Sequence, residues 1–279
     1  MKYSVCLECF FPDTPFHERI GEVAKLGYEA VEFWFTDYLF DGKGLRPGQK
    51  DFDAIATEAH KYGIEISDFA VNSNEGTFGG SLVKADEKQR FLDRLASQIE
   101  IAHRLNCRRL IVCTGNRLAG VPEEQQLANL IDVMIEAARM AERQGVLLVI
   151  EPLNTHVDHA GYFLETSRAG FEIVRQVNHS NVKLLYDIYH MQIMEGHLIS
   201  TIRQNIALIG HFHAAGNPGR HELFIGEIHY PNVVREIRSL GYEGNFGLEY
   251  FPTLESAESL RQVKALLDAA GGGRPGTGL

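Results

Sequence analysis

The sequence predicts an α/β fold: a single (β/α)8 barrel with its working groups at the C-terminal ends of the strands. Two observations carry the assignment. Short apolar runs alternate with longer amphipathic stretches eight times along the 279 residues. Four consecutive runs in the second half also finish on a side chain that can hold a cation, and in a barrel of parallel strands those finishing ends share one rim.

Taken in order, strands are expected at 4–9, 30–35, 64–71, 109–113, 147–151, 182–187, 209–213 and 245–249. Each is a run of about the length a buried strand needs. Helices are expected between and after them at 16–26, 52–61, 87–105, 122–144, 165–176, 199–206, 232–240 and 255–269, where apolar positions recur at helical spacing. Gly27, Gly63, Gly145 and Gly241 each follow a helical stretch and precede a strand, the place for a left-handed C-terminal cap. These are the short turns at the bottom of the barrel. On the opposite rim the loops 36–50, 72–85 and 214–229 are longer and more polar. A doubly wound sheet would call for a Gly-rich turn after the first strand, and Phe10-Phe11-Pro12-Asp13 is not one. Residues 1–270 therefore read as one barrel domain, and 271–279 as a flexible Gly-rich tail.

Composition narrows the function classes. A hydrophobic content of 44% supports a large core, and a formal net charge of −10 argues against nucleic acid as a partner, since binding it depends on neutralising phosphates with Lys and Arg. No apolar stretch approaches the roughly 20 residues of a membrane span, and Met1-Lys2-Tyr3-Ser4 leads into a strand rather than a signal peptide. The expectation is a cytoplasmic protein acting on a small molecule. Cys6 and Cys9 have Cys-x-x-Cys spacing, but strand alternation would set them on opposite faces, so they read, with Cys107 and Cys113, as structural thiols.

The chemistry lies at four strand ends. Val146-Leu147-Leu148-Val149-Ile150 stops at Glu151, Leu185-Tyr186 at Asp187, Gly210-His211-Phe212 leads to His213, and Phe246-Gly247-Leu248 stops at Glu249. Asp187 alone could equally be a helix N-cap. Three carboxylates and one imidazole without a thiolate favour one divalent ion such as Mn2+, Mg2+ or Co2+, which would also relieve their mutual repulsion. Such an ion can acidify the carbon-bound proton of a hydroxy-carbonyl compound, and a neighbouring carboxylate can move it through an enediolate.

The residues also carry a family resemblance. Glu151-Pro152-Leu153-Asn154, Gly161-Tyr162-Phe163-Leu164, Tyr186-Asp187-Ile188-Tyr189-His190-Met191-Gln192, Gly226-Glu227-Ile228 and Gly247-Leu248-Glu249-Tyr250 resemble the hydroxypyruvate isomerase group. That group sits in the xylose-isomerase-like barrel superfamily with ketose 3-epimerases, inosose dehydratases and endonuclease IV. The resemblance is strongest over 146–252. It implies that Glu151, Asp187, His213 and Glu249 hold one ion and that Glu151 and Glu249 shuttle the proton. It further implies that His190 and Arg220 contact substrate oxygens, and that the subunits form a dimer or tetramer. His190 could instead be a core histidine bonded to a carbonyl, and Arg220 a solvated loop charge. Three features depart from the group. His213 stands where hydroxypyruvate isomerases have glutamine and epimerases have histidine, and the segments Glu222-Leu223-Phe224-Ile225-Gly226 and Asn72-Ser73-Asn74-Glu75-Gly76 differ.

Other residues have open roles. Trp34 ends the second strand and is either core or an apolar wall of the substrate pocket. Glu227 and His229 order their loop or bind substrate. His156 and His159 read as loop residues rather than a second metal site, and Glu8 faces either the pocket or an outer helix. The leading function is a metal-dependent isomerase acting on a hydroxypyruvate-like compound or short sugar, and the runner-up is a ketose 3-epimerase using the same residues. A sugar-binding barrel without catalysis would leave the paired glutamates unexplained. A nuclease of the endonuclease IV kind would need extra histidines where Trp34-Phe35-Thr36 and Val71-Asn72-Ser73 stand.

Overall fold

The structure, a computed structural model, describes residues 1–40 and 42–271. Eight parallel strands close into a barrel. They are β1 (Lys2–Cys6), β2 (Ala30–Phe33), β5 (Glu65–Ala70), β6 (Arg109–Val112), β7 (Leu147–Ile150), β8 (Val182–Asp187), β9 (Ile209–Ala214) and β10 (Asn245–Leu248). Neighbours in sequence are neighbours in the barrel, and β10 closes on β1 with Lys2 opposite Asn245. Two further strands, β3 (Tyr38–Phe40) and β4 (Leu45–Pro47), form an antiparallel hairpin on the upper rim.

The strands are apolar because each is buried on both faces, as parallel strands under a helical layer must be. Alternation sorts the side chains. Leu110, Val112, Leu148, Ile150, Leu184 and Tyr186 join the main core against the helices, whereas Ile111, Val149 and Leu185 form a separate cluster with Phe35 and Ala70. That second cluster fills part of the barrel interior. The outer layer is α1 (Arg19–Lys25), α2 (Phe52–Tyr62), α3 (Lys88–Arg104), α4 (Glu123–Gln144), α5 (Ser167–Val177), α6 (Ile188–Met194), α7 (Leu198–Asn205), α8 (Tyr230–Ser239) and α9 (Ser256–Gly271). Gly63 and Gly145 cap α2 and α4 at φ 65°, a left-handed geometry that glycine adopts without a Cβ clash. None of the described helices is long and apolar enough to cross a membrane.

Two elements were not foreseen. The short helix α6 starts directly at the end of β8, and the 36–50 loop folds as the β3–β4 hairpin. The hairpin is anchored by a buried Lys50, whose Nζ pairs with Glu8 Oε1 at 2.9 Å and donates to Tyr38 O at 2.7 Å and to Phe35 O. The Cys6–Cys9 expectation is corrected. Cys9 lies beyond β1 in a turn closed by its own N–H on Cys6 O, so the two thiols are close enough to interact rather than on opposite strand faces. Both are buried and free, and burial pushes the Cys6 thiol well up, away from a reactive thiolate. The Gly-rich tail lies outside the described residues from 272 onward, while Gly271 closes α9.

Candidate active site

Four strand ends on the upper rim bring Glu151, Asp187, His213 and Glu249 together. All four are buried, and one ligand atom from each lies within 4.8 Å of the others. Strand pairing places them: Glu151 N donates to Val112 O beyond β7, Asp187 sits opposite His213, and Glu249 N donates to Ala214 O beyond β10. His213 is the hub. Its Nδ1 lies 3.3 Å from Glu151 Oε1 and 3.4 Å from Glu249 Oε2.

Asp187 is a helix N-cap and also stands in the cluster. Its Oδ1 caps α6 by accepting from Tyr189 N at 2.7 Å and His190 N at 3.1 Å, which leaves Oδ2 for the cluster. A carboxylate so placed needs no separate loop to aim it. The helix that it starts carries His190 into the same space.

The two glutamates have opposite electrostatics. Burial pushes the Glu151 carboxyl up to about 7, and it pushes Asp187 up to about 6. Burial also opposes ionisation of Glu249, but Arg220 and His213 outweigh it and hold that carboxyl well below its ordinary range. The contacts agree. Glu249 Oε1 accepts from Trp34 Nε1 at 2.6 Å, and Oε2 accepts from Arg220 Nη2 at 2.5 Å. One glutamate is thus held ionised, while burial favours the protonated form of the other. For His213, burial disfavours the cation, yet Glu32 and the surrounding carboxylates override it and raise its pKa.

His190 is fully buried, and that burial drives its pKa well below 6.5. Its partner is Asn154, not a backbone carbonyl: Asn154 Nδ2 donates to Nδ1 at 2.6 Å, so the neutral ring carries its proton on Nε2. Nε2 lies 3.5 Å from Asp187 Oδ2. Arg220 is likewise no solvated charge. It pairs with Glu249, and its guanidinium lies 5.4 Å from the Tyr189 ring centre.

Glu151, His190, His213, Arg220 and Glu249 line a cavity of about 240 Å3 that Trp34, Phe35, Ile111, Leu153 and Phe251 wall with apolar surface. Trp34, His190 and Arg220 are therefore gathered with Glu151, His213 and Glu249. Glu227 is not. It is exposed, accepts from Gln192 and Asn217, and lines a separate cleft with Arg203 and His229. His229 caps α8 through Asn232 N. His159 reaches the cavity and His156 is exposed, so the apparent histidine pair is split. Glu8 belongs to the buried Lys50 pair, and its second oxygen accepts from Trp34 N at 3.1 Å.

Below this ring lies a group that the sequence reading missed. Glu32, Asp68 and His211 converge on the other side of His213, again within 4.8 Å. The signal was present: each is a titratable residue in the middle of a strand that should be wholly apolar.

A family model described as xylose isomerase-like TIM barrel matches residues 20–268. Hydroxypyruvate isomerase of Escherichia coli K12 is 32% identical over 261 residues, covering 94% of this chain and 97% of its own length. 2-Oxo-tetronate isomerase of Cupriavidus necator is 30% identical over 266 residues, covering 95% and 98%. Among solved structures, one described as AP endonuclease, family 2, from Brucella melitensis superposes with a TM-score of 0.84 at 28% identity, covering 95% of this chain and 99% of that one. An L-ribulose 3-epimerase superposes at 0.79 and 18% identity, covering 96% and 95%, a likeness of fold.

Proposed function

From the premise that the chain belongs to the xylose isomerase-like TIM barrel family and is an enzyme of the isomerase and epimerase kind, we propose that it moves the carbonyl of a small hydroxy-carbonyl compound to the neighbouring hydroxyl-bearing carbon. The substrate is a short 2-keto acid of the hydroxypyruvate or 2-oxo-tetronate type. The observation that carries the reading is the pair of buried carboxylates, Glu151 and Glu249, flanking one imidazole nitrogen at 3.3 and 3.4 Å in the cavity they line. A volume of about 240 Å3 suits a compound of a few carbons, being under the roughly 300 Å3 at which pockets for drug-sized ligands begin.

The donor set fits one divalent ion: three carboxylate oxygens and one imidazole nitrogen, all buried, with His213 Nδ1 making no hydrogen bond among the described residues. Glu151, Asp187, His213 and Glu249 would hold it, and it would polarise the substrate carbonyl and acidify the adjacent C–H. Glu249, kept ionised by Arg220, removes that proton. Glu151, ionised as a ligand, takes up the hydroxyl proton and delivers it to the other carbon, while Glu249 passes its proton to the former carbonyl oxygen, so that both carboxylates are regenerated. His190 Nε2–H is a neutral donor, and Arg220 a fixed cation, for the oxygen on which charge develops. The apolar walls exclude water from the enediolate.

A second reading, 3-epimerisation of a small ketose, is favoured by His213, which stands where the group resembled in sequence has glutamine and the epimerases have histidine. It would use Glu151 and Glu249 on opposite faces of one carbon. Assays of chelator-stripped protein with hydroxypyruvate, 2-oxo-tetronate and free ketoses, before and after Mn2+, Mg2+ or Co2+, separate the two. Ion-dependent turnover of a keto acid supports the proposal, and turnover of ketoses alone replaces it with the second reading.

A further inference from the structure

We propose that Glu32 is a positioning residue. From the centre of the barrel its carboxylate sets the tautomer and aim of His213, and thereby the affinity of the upper ring for a divalent ion. The inference rests on the metal reading given above.

Glu32 lies within β2 at 2% exposure, where an isolated carboxylate is costly to bury. It is met by two imidazoles from β9. Oε1 is 3.2 Å from His213 Nε2, and Oε2 is 3.2 Å from His211 Nε2, with Ser67 Oγ donating to Oε2 at 3.3 Å. His211 Nε2 is also 3.2 Å from Asp68 Oδ2. Arg109 Nη1 lies 3.5 Å from His211 Nδ1 and 3.7 Å from Asp68 Oδ2.

Donor and acceptor rules fix the protons in this chain. Arginine has only donors, so His211 Nδ1 accepts and its Nε2 carries the hydrogen, aimed between Glu32 and Asp68. An ionised Glu32 has only acceptors, and its 3.2 Å contact, although not aligned as a hydrogen bond, favours the proton of a neutral His213 on the nitrogen that faces it. His213 Nδ1, the nitrogen facing Glu151 and Glu249, is then left with a free lone pair. A carboxylate behind a ligating histidine commonly sets ring orientation and raises ligand basicity in this way. Here the carboxylate is itself met by His211 and Ser67, and His211 is in turn held by Arg109 and Asp68.

An independent feature shows that the fold leaves room for this contact. Gly247 of β10 stands opposite His213 in register. A Cβ built there would strike Glu32 Oε1, and would meet Glu32 Oε2 and His213 Cδ2 at 2.7 Å each. The carboxylate and the imidazole meet in space that any other residue at 247 would fill.

The test is calorimetric titration of chelator-stripped protein with Mn2+, together with the visible spectrum of the Co2+-loaded form, for the parent, Glu32→Gln and Gly247→Ala. The parent should bind one ion per chain. Glu32→Gln should keep that stoichiometry, bind about 10- to 100-fold more weakly and shift the Co2+ bands, because outer-shell partners of ligating histidines have effects of this size. Gly247→Ala, which leaves every charge in place, should weaken binding in the same direction and serves if Glu32→Gln does not fold. Equal affinity and an unchanged Co2+ spectrum in either folded variant would overturn the inference and leave the metal reading standing. Two ions per chain in the parent, falling to one in Glu32→Gln, would also overturn it by making Glu32 a ligand. A parent that binds no ion would remove the metal reading and this inference together.

Discussion

Removing Arg220 tests how the ionised glutamate is held. Arg220 Nη2 lies 2.5 Å from Glu249 Oε2, with the side chains 15% and 10% exposed, so the pair is shielded from screening by water. Arg220→Ala leaves Glu249 with Trp34 Nε1 at 2.6 Å and His213 as its remaining partners. Breaking a buried pair by removing one member costs about 3–5 kcal/mol, because the other charge stays buried. The two surviving partners put Glu249 toward the lower end, about 3 kcal/mol. For a chain of this size about 1 kcal/mol moves Tm by roughly 2–4 °C, so the metal-free variant should melt roughly 6–12 °C below the parent. Saturating Mn2+ should narrow that gap, since the ion supplies positive charge to the same carboxylate, and Arg220→Lys should lose less than the alanine variant. Circular dichroism melts with chelator and then with Mn2+ decide the matter. A metal-free Arg220→Ala protein melting with the parent, or a gap that the ion leaves unchanged, would refute the assignment of Arg220 as the clamp on Glu249.

Three further outcomes follow from the same geometry. Ion binding should weaken as pH falls from 8 to 5.5. Glu151 near 7, Asp187 near 6 and a raised His213 must all lose protons to ligate, so the rise in Tm caused by Mn2+ should be larger at pH 8. The sign for the metal-free protein is the converse. Carboxyls raised above their unfolded value of about 4 contribute stability that is present below that value and is lost as pH rises through the folded values. An ion-induced shift that grows toward acid pH would contradict this. Glu151→Gln and Glu249→Gln should each lower kcat by about 10²- to 10⁴-fold or more through loss of proton transfer, with near-parent circular dichroism; near-parent turnover by either variant on the true substrate would remove its proton-shuttle role. Lys50→Met should cost about 3–5 kcal/mol by stranding Glu8, and adding Glu8→Gln should recover part of it; chemical denaturation of the single and double variants would show no recovery if the pair is not coupled.

The barrel was legible because every level of the sequence agreed. Apolar runs such as Leu147–Ile150, helical periodicity such as that of Glu123–Gln144, and caps such as Gly63 and Gly145 all demand the same alternation. The upper ring was legible because an acid at the end of a buried strand has few uses, and strand pairing then does the assembling. What stayed hidden depends on chain reversal rather than periodicity. The turn after β1 sets Cys9 beside Cys6, and the loop after β9 returns Arg220 to the cavity while sending Glu227 to a neighbouring cleft. The inner ring was hidden for a different reason. Glu32, Asp68 and His211 sit on three separate strands, and only barrel closure shows that their side chains converge on His213.

The central claim is ion-dependent proton transfer at carbon, and proton NMR in D2O tests it most directly. Chelator-stripped protein is incubated with hydroxypyruvate and with 2-oxo-tetronate, and Mn2+ or Mg2+ is then added, Mg2+ for the spectra themselves. The account predicts no exchange before the ion. After it, solvent deuterium should enter the carbon beside the carbonyl as the isomer forms, an aldehyde from hydroxypyruvate and a 3-keto acid from 2-oxo-tetronate, and Glu249→Gln should abolish both events. Exchange that is indifferent to the ion, or no exchange with keto acids or ketoses when the ion is present, would contradict it.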